Sequence, residues 1–436
     1  MKKRLFTVFC TAVLLLLVFG ISDTKAALKD SEWDITKMVS VEKNDITYKV
    51  FFSKNGQEVW INRIYGYHGT LSIPETIEGR KVTRIGDAVD YPLFPNREAD
   101  DLFNIIGFGI VPWKNIHGNN RRVKEICIPD TVEVIMPYTF SGFTAVKTVK
   151  LPKKLSEIQK NAFYGCSGLK TLVFPESLKK IDPSAFQDCP SLKTLKLYAR
   201  NNTYQIRNNC LIRKKDKALL LGACAGKKMK IPKGVEIIKE NALSNVASGT
   251  VFISASVKKM EENALANQRI KDVTVSTANK TFAKDGQCIY RREDKSLAVA
   301  IVSDDGVLRI SDEVEKITPD YSMVNCKQFD KNGRPLFKRT VFPRNLKKVI
   351  GPGLTQVSDV KELYFTGAVP PVIKHSKKLK YRYMSDFPID SQRVYVPKDY
   401  DDVYRAWFKK YDGSSDEYWR WNTYDPTEVF GTAGKQ

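Results

Sequence analysis

The sequence predicts an α/β solenoid. In such a coil, short strands from successive turns stack into a common layer with one buried and one open face, and short helical or 3₁₀ turns pack onto it. Three observations predict it. Fourteen residues beginning at Ala162, AFYGCSGLKTLVFP, return 23 residues later at Ala185 as AFQDCPSLKTLKLY. A short apolar phrase, Φ-x-x-Φ-x-Φ with Φ apolar, recurs twelve times in strict or loose form. A longer segment, residues 201–221, reappears at an offset of 78 as residues 279–299. A fixed period of this size marks a unit that cannot bury its own apolar face and must stack on its neighbours.

From the N-terminus, residues 1–26 read as an export signal: Lys2, Lys3 and Arg4 precede an apolar run from Leu5 to Ile21, and Thr24-Lys25-Ala26 offers a small-residue exit. Residues 27–46 are expected to be a flexible leader. Residues 47–122 read as an N-terminal cap repeat: a hairpin and a modified first coil over 47–85, then a long insertion over 86–122 that breaks the period. Residues 123–366 carry the solenoid proper, and 367–436 a C-terminal cap ending in the aromatic stretch YDGSSDEYWRWNTYDP.

Within the array the strict phrases are VKEICIP (123–129), VKTVKLP (146–152), LKTLVFP (169–175), LKTLKLY (192–198), IKDVTVS (270–276), FKRTVFP (337–343) and VKELYFT (360–366). Looser copies lie at 71–74, 228–232, 249–254, 307–311 and 394–397. The period of two in each phrase gives a strand with one buried and one open face. Between phrases the apolar spacing lengthens to three, four and five, as at Ile158, Ala162, Phe163, Cys166 and Leu169. That spacing predicts a short helical or 3₁₀ turn. Leucine takes the place of Phe at Leu243, Leu265 and Leu354. Two cassettes, near 198–228 and 276–306, place paired apolar runs around the charged turns KKDK and REDK, which predicts inserted β-hairpins.

The repeat IP-x-x-L-x-x-I-x-x-x-AF-x-x-C-x-x-L-x-x-L-x-Φ-P resembles the BspA-type leucine-rich repeats of bacterial surface and secreted proteins. LSIPETIEGRKVTRIGD (71–87) and VYVPKDYDDVYRAW (394–407) are similar to that family's first and last units. Ala-Phe-x-x-Cys stands intact only twice, and 86–122 has no counterpart. The resemblance implies a right-handed solenoid with a parallel sheet lining its concave face, no catalysis, and roles in adhesion or in binding host matrix or other cells.

Charge and chemistry bound the function. The chain carries a net +22, and +19 after the first 26 residues, with four basic and one acidic, are set aside. An exported basic protein meets acidic glycans, wall polymers and acidic proteins rather than nucleic acid. Seven cysteines follow residue 26, with no CxxC pair. Cys166 and Cys189, at one place in adjacent coils, fall within reach of a disulfide but read first as buried free thiols. The three histidines, His68, His117 and His375, lie apart from one another and from cysteine. No phosphate-binding loop, nucleophile elbow or metal-ligand spacing is present. No catalytic residue, cofactor or metal site is therefore assigned, and the one catalytic suspicion is Asp100, Asp101 and His117 inside the insertion.

Stacking turns equivalent strand positions into columns, so the open face can be read from the sequence. Its ligand-binding candidates are Lys150, Thr171, Thr194, Lys196, Lys230, Phe252, Arg309, Arg339, Tyr364 and Tyr395, basic in the middle and aromatic toward the C-terminus. A second column, Lys124, Lys147, Lys170, Lys193, Lys271, Lys338 and Lys361, is either a solubilising edge or a track for a polyanion. Two functions follow: a secreted or cell-surface adhesin-like binding protein for a protein or acidic glycan ligand, or a structural coat component that associates with anionic wall polymers and its own copies.

Overall fold

The computed structural model describes residues 32–35, 37–67, 69–86, 122–223, 228–246, 249–265, 267, 269–318, 321–324, 337–350, 360–374, 393–412 and 420–425. The expected export signal (1–26), the 87–121 insertion with Asp100, Asp101 and His117, Leu354, and half of the terminal aromatic stretch lie outside the described residues. Every one of the twelve phrases contains a strand, and a thirteenth follows at Arg420–Tyr424. They pair in parallel and in register: Thr148, Thr171 and Thr194 are partners, as are Val149, Leu172 and Leu195. This is a parallel-strand β-solenoid.

The main ladder is not one continuous sheet. Thr70–Ser72 pairs with Glu125–Cys127, and Thr148–Lys150, Thr171–Phe174 and Thr194–Leu197 form a second panel. A third panel joins Lys228–Lys230, Gly249–Ile253 and Ile270–Val275. The last runs from Val307–Arg309 through Phe337–Val341, Val360–Tyr364 and Arg393–Pro397 to Arg420–Tyr424. The inserted cassettes cause the breaks between the second, third and last panels.

Behind the main ladder runs a second parallel ladder of very short strands, among them Val134–Ile135, Glu157–Ile158 and Lys180–Ile181. The stretches expected to be helical are turns instead, so the α/β expectation is corrected. Ala162, Tyr164 and Cys166 donate their amides three residues back, to Gln159, Asn161 and Phe163. The intervening amides of Phe163 and Gly165 go to Ala185 and Gln187 of the next coil, at 2.7 and 2.9 Å. A helix would keep these amides within the turn; here every second one is spent on the neighbour. Asn161, Asn241 and Asn263, just before the Ala of this turn, have φ between 54° and 56°. Left-handed backbone of this kind suits Asn and interrupts a right-handed helix.

The repeated Ala-Phe and Cys now have physical reasons. Phe140, Phe163 and Phe186 stack face to face, with centroids 5.1 and 4.9 Å apart, close to the pitch of the coil. Leu172, Leu195 and Phe163 belong to a single core. The Cys166 thiol donates to the Phe140 carbonyl at 3.0 Å, and Cys189 repeats the bond to Phe163 at 3.2 Å. Both thiols are free and buried, as expected. Where Cys is missing, buried asparagines do the same work: Asn245 donates to the Phe186 carbonyl, and Asn267 to those of Leu243, Ser244 and Val246.

Each cassette is a three-stranded antiparallel insert, Tyr204–Arg207, Cys210–Arg213 and Ala218–Gly222 in the first, Phe282–Asp285, Cys288–Arg291 and Leu297–Ile301 in the second. In the first cassette the third strand pairs in parallel with Ile237–Ile238 of the short ladder; in the second it pairs in parallel with Ser322–Val324, and Ser296 alone bridges to Lys316 of the short ladder. The shared asparagine anchors each insert. Asn201 gives its amide hydrogens to Pro175, Glu176 and Leu178 of the preceding coil and accepts from the Thr203 and Tyr204 backbone. Asn279 does the same with Ser254, Val257, Thr281 and Phe282.

The caps close both ends. Ile46–Phe52 and Glu58–Tyr65 form the expected hairpin, and the latter strand pairs in parallel with Arg80–Ile85. Folded structure begins earlier than the expected leader allows. Val39–Lys43 pairs with the hairpin, and Trp33 is buried edge-on against Trp60, 5.7 Å between centroids. At the other end the helix Asp401–Asp412 lies over the last coils: Tyr404 donates to the Gly367 carbonyl and Trp407 to that of Pro371.

Truncating Phe163 to Ala opens a cavity within the ring stack and should cost about 3–5 kcal/mol. Phe163→Leu, which copies Leu243 and Leu265, should cost less than about 1.5 kcal/mol. Urea unfolding of both variants checks the order, and equal losses would show that the rings do not stack.

Candidate functional site

The strand alternation that buries Val149, Leu172 and Leu195 turns Thr148, Thr171 and Thr194, and with them Lys150, Val173 and Lys196, to the open side. Lys147, Lys170 and Lys193 lie just before these strands. Their backbones bond coil to coil, the Lys170 amide to the Lys147 carbonyl at 2.8 Å and Lys193 to Lys170 at 2.9 Å. Five exposed ammonium groups, Lys147, Lys150, Lys170, Lys193 and Lys196, thus crowd one panel, and none forms a salt bridge with any described residue. Neighbours about 5 Å apart repel by about 1 kcal/mol in water. A bound polyanion would relieve that repulsion.

On the short ladder the arithmetic differs. There lysines of one coil meet carboxylates of another: Lys180 with Glu157 at 2.8 Å, Lys239 with Glu261 at 2.6 Å, Lys347 with Glu315 at 2.7 Å. Glu236 sits between Lys217 and Lys258, at 2.6 and 2.9 Å, and their hydrogen bonds pull its carboxyl down to about 2. The hydrogen bond from Arg213 holds the Asp216 carboxyl below its usual range. The short ladder is bridged by ion pairs across coils; the second panel of the main ladder is not.

The remaining candidates fall into two further groups. Lys230 and Phe252 are register partners, with the ammonium 5.9 Å from the ring centroid. Arg309 registers with Val341, Tyr364 and Tyr395 along the last panel, while Arg339 registers with Glu362. This group is largely satisfied from within. Arg339 bonds Glu362 at 2.9 Å and lies 4.5 Å above the Tyr364 ring, which stacks on Tyr395 at 4.2 Å. Tyr364 is only 5% exposed, and burial raises its phenol to about 12 against the pull of the Arg339 charge. Tyr364 is therefore a packing residue, not the presented anchor that its place in the column suggested. The ten candidates do not form one strip.

Sequence reasoning overlooked Tyr198. It stands where other phrases carry Pro, and at 59% exposure it is the most exposed aromatic residue among those described. That substitution was the available signal. Beside it an open cleft of about 500 Å³ separates the Thr194–Leu197 strand from the first cassette. Cys127 is the exposed cysteine of the open face, as its column position predicts. Among the described residues no cluster of three His, Cys, Asp or Glu could hold a metal.

Residues 114–216 and 221–288 match the family described as the BspA type leucine rich repeat region, in six copies. These matched residues belong to the BspA-type leucine-rich repeat family. No curated protein matches the sequence. Solved structures similar to the chain include the pneumococcal vaccine antigen PcpA, 16% identical over 89% of this chain and 98% of that one, with a TM-score of 0.34. A leucine rich cell surface protein from Faecalibacterium prausnitzii is 13% identical, covering 80% and 98%, with a TM-score of 0.30. A leucine-rich repeat protein from Eubacterium ventriosum is 12% identical, covering 83% and 79%, with a TM-score of 0.33. Within residues 114–216 and 221–288 the BspA-type repeats account for the Ala-Phe turns and the strand phrases alike.

The compensated ladder gives a pH prediction with a defined sign. Carboxyls held low in the folded state stabilise it fully above their unfolded range, and that contribution is lost as pH falls through the folded value. Urea midpoints should be flat from about pH 7 to 5 and fall below about 4.5, and Glu236→Gln should fall less steeply. An identical acid limb in that variant would show that Glu236 is not held low.

Proposed function

We propose that this protein is a non-catalytic binding protein of the cell surface or its surroundings, adhesin-like, that takes an acidic protein segment or acidic glycan on the second strand panel of its main ladder. One observation carries the reading: the lysines of that panel form no salt bridge with any described residue, whereas those of the short ladder are paired across coils. A merely solubilising surface gives no reason for the two ladders to differ. An uncompensated basic face attracts acidic partners and accelerates encounter, with an attraction that salt weakens.

Export rests on the N-terminal signal pattern, and a surface setting agrees with the BspA-type repeats. Among the described residues no helix is long and apolar enough to cross a membrane. On this reading retention at the cell would come from the same charge, through wall polymers. The alternative of a self-associating coat finds less support, because two copies meeting through this panel would bring like charges together.

Titration of the purified protein against acidic glycans and matrix proteins, read by calorimetry over a range of salt, tests the proposal. Binding should be one-to-one and weaken at least tenfold between about 50 and 500 mM salt. Charge reversal at Lys150, Lys196 and Lys230 should weaken it by about three- to tenfold per residue. Binding that ignores both salt and reversal would refute the basic face, and concentration-dependent self-assembly without ligand would favour the coat.

A further inference from the structure

The cleft beside Tyr198 is walled by two strands, each of which ends its sheet. Thr194–Leu197 is the edge of its three-stranded panel, and Tyr204–Arg207 is the edge of the sheet begun by the first cassette. Strand alternation fixes which backbone groups face the gap. Thr194 and Tyr198 give their amides to Lys170 and Phe174 of the preceding coil, so Leu195 and Leu197 point the other way. Lys214 donates to the Thr203 carbonyl, so Thr203 and Gln205 face their hairpin partner, and Tyr204 and Ile206 face away from it.

Part of this double edge is already covered by a side chain imitating a strand. The Asn209 amide accepts from the Leu195 N–H at 3.3 Å and donates to the Lys193 carbonyl at 3.0 Å. Farther along, by the same alternation, the N–H groups of Leu197 and Ile206 point away from their ladder partners. Exposed Lys193 and Lys196 and the ring of Tyr198 border this stretch, and no acidic residue lines it.

The second cassette supplies an internal comparison. At the offset of 78, Thr194 corresponds to Asp272 and Ile206 to Lys284. There the Lys284 ammonium bonds the Asp272 carboxylate at 2.6 Å, joining the two strands that would wall an equivalent cleft. In the second cassette the chain provides its own carboxylate at the gap; in the first it provides only bases and open strand edges.

We propose that the first cleft receives an extended acidic segment of a partner protein, added as a strand to the Thr194–Leu197 and Tyr204–Arg207 edges. The proposal rests on the basic-face reading above and names its ligand. Backbone pairing to open edges holds the segment, and its alternate residues place carboxylates beside Lys193 and Lys196 while the ring of Tyr198 covers an apolar one. An acidic glycan would satisfy the lysines but lacks the regularly spaced amides that the two edges require.

The test uses a fluorescent octapeptide of alternating Val and Glu, capped at both ends, its two singly registered N-methylated forms, and a heparin chain as the glycan probe. The intact peptide should bind the full protein, and N-methylation in one register should weaken it about tenfold or more while the other register is tolerated. The double variant Thr194→Asp/Ile206→Lys, which transplants the closing ion pair, should weaken the peptide by a similar factor and leave heparin binding nearly unchanged. Lys196→Glu, an exposed position that cannot disturb the core, should weaken both probes. Equal binding of all three peptides, still weakened by salt, would overturn strand addition and leave the basic face standing. Heparin displacing the peptide and responding to the double variant in the same way would assign the cleft to a glycan. If no acidic probe binds, the cleft and the basic face fall together.

Discussion

The structure depends on backbone hydrogen bonds passed from coil to coil. Strand ladders alone would explain two sides of each turn, but the bonds from Phe163 to Ala185 and from Gly165 to Gln187 carry the same connection through the third. A coil bonded to its neighbours on every side has little choice of pitch. That pitch, near the strand spacing of about 4.8 Å, is what allows Phe140, Phe163 and Phe186 to stack and puts equivalent lysines side by side.

The polar residues of the interior follow from this constraint. Where turns meet, carbonyls such as Phe140 O and Phe186 O are buried, and an unmet carbonyl there would cost about 1–3 kcal/mol. A thiol or an amide of the next coil meets each one. The cassettes interrupt the ladder, so each brings an asparagine to meet the carbonyls that it uncovers. Charge is arranged by the same geometry, with opposite signs stacked along the short ladder and one sign left along part of the main ladder.

Much of this was legible in the sequence, because a strand with one wet face writes its period of two plainly. All twelve phrases were strands, and the repeated asparagines were visible before their bonds were known. The helical turns were misread because apolar spacing reports which side chains are buried, not where the amides go. Asn161, Asn241 and Asn263 were the warning. RWNTY escaped notice as a strand because it lacks the apolar phrase; Trp33 and Val39–Lys43 escaped because a capping strand has no repeat to match. For the site, parity correctly named the face of Lys150 and Lys196. It could not foresee that Arg339 and Tyr395 would enclose Tyr364, since packing across coils depends on neighbours that a column does not name.

Native-state hydrogen exchange at the amides of Phe163 and Gly165 tests the central claim most directly. If these amides bond to the next coil, they should exchange as slowly as that of Leu172 in the main ladder, and open together with it. Exchange of Phe163 and Gly165 at the rate of exposed turns, with Leu172 still protected, would contradict a coil bonded to its neighbour on every side.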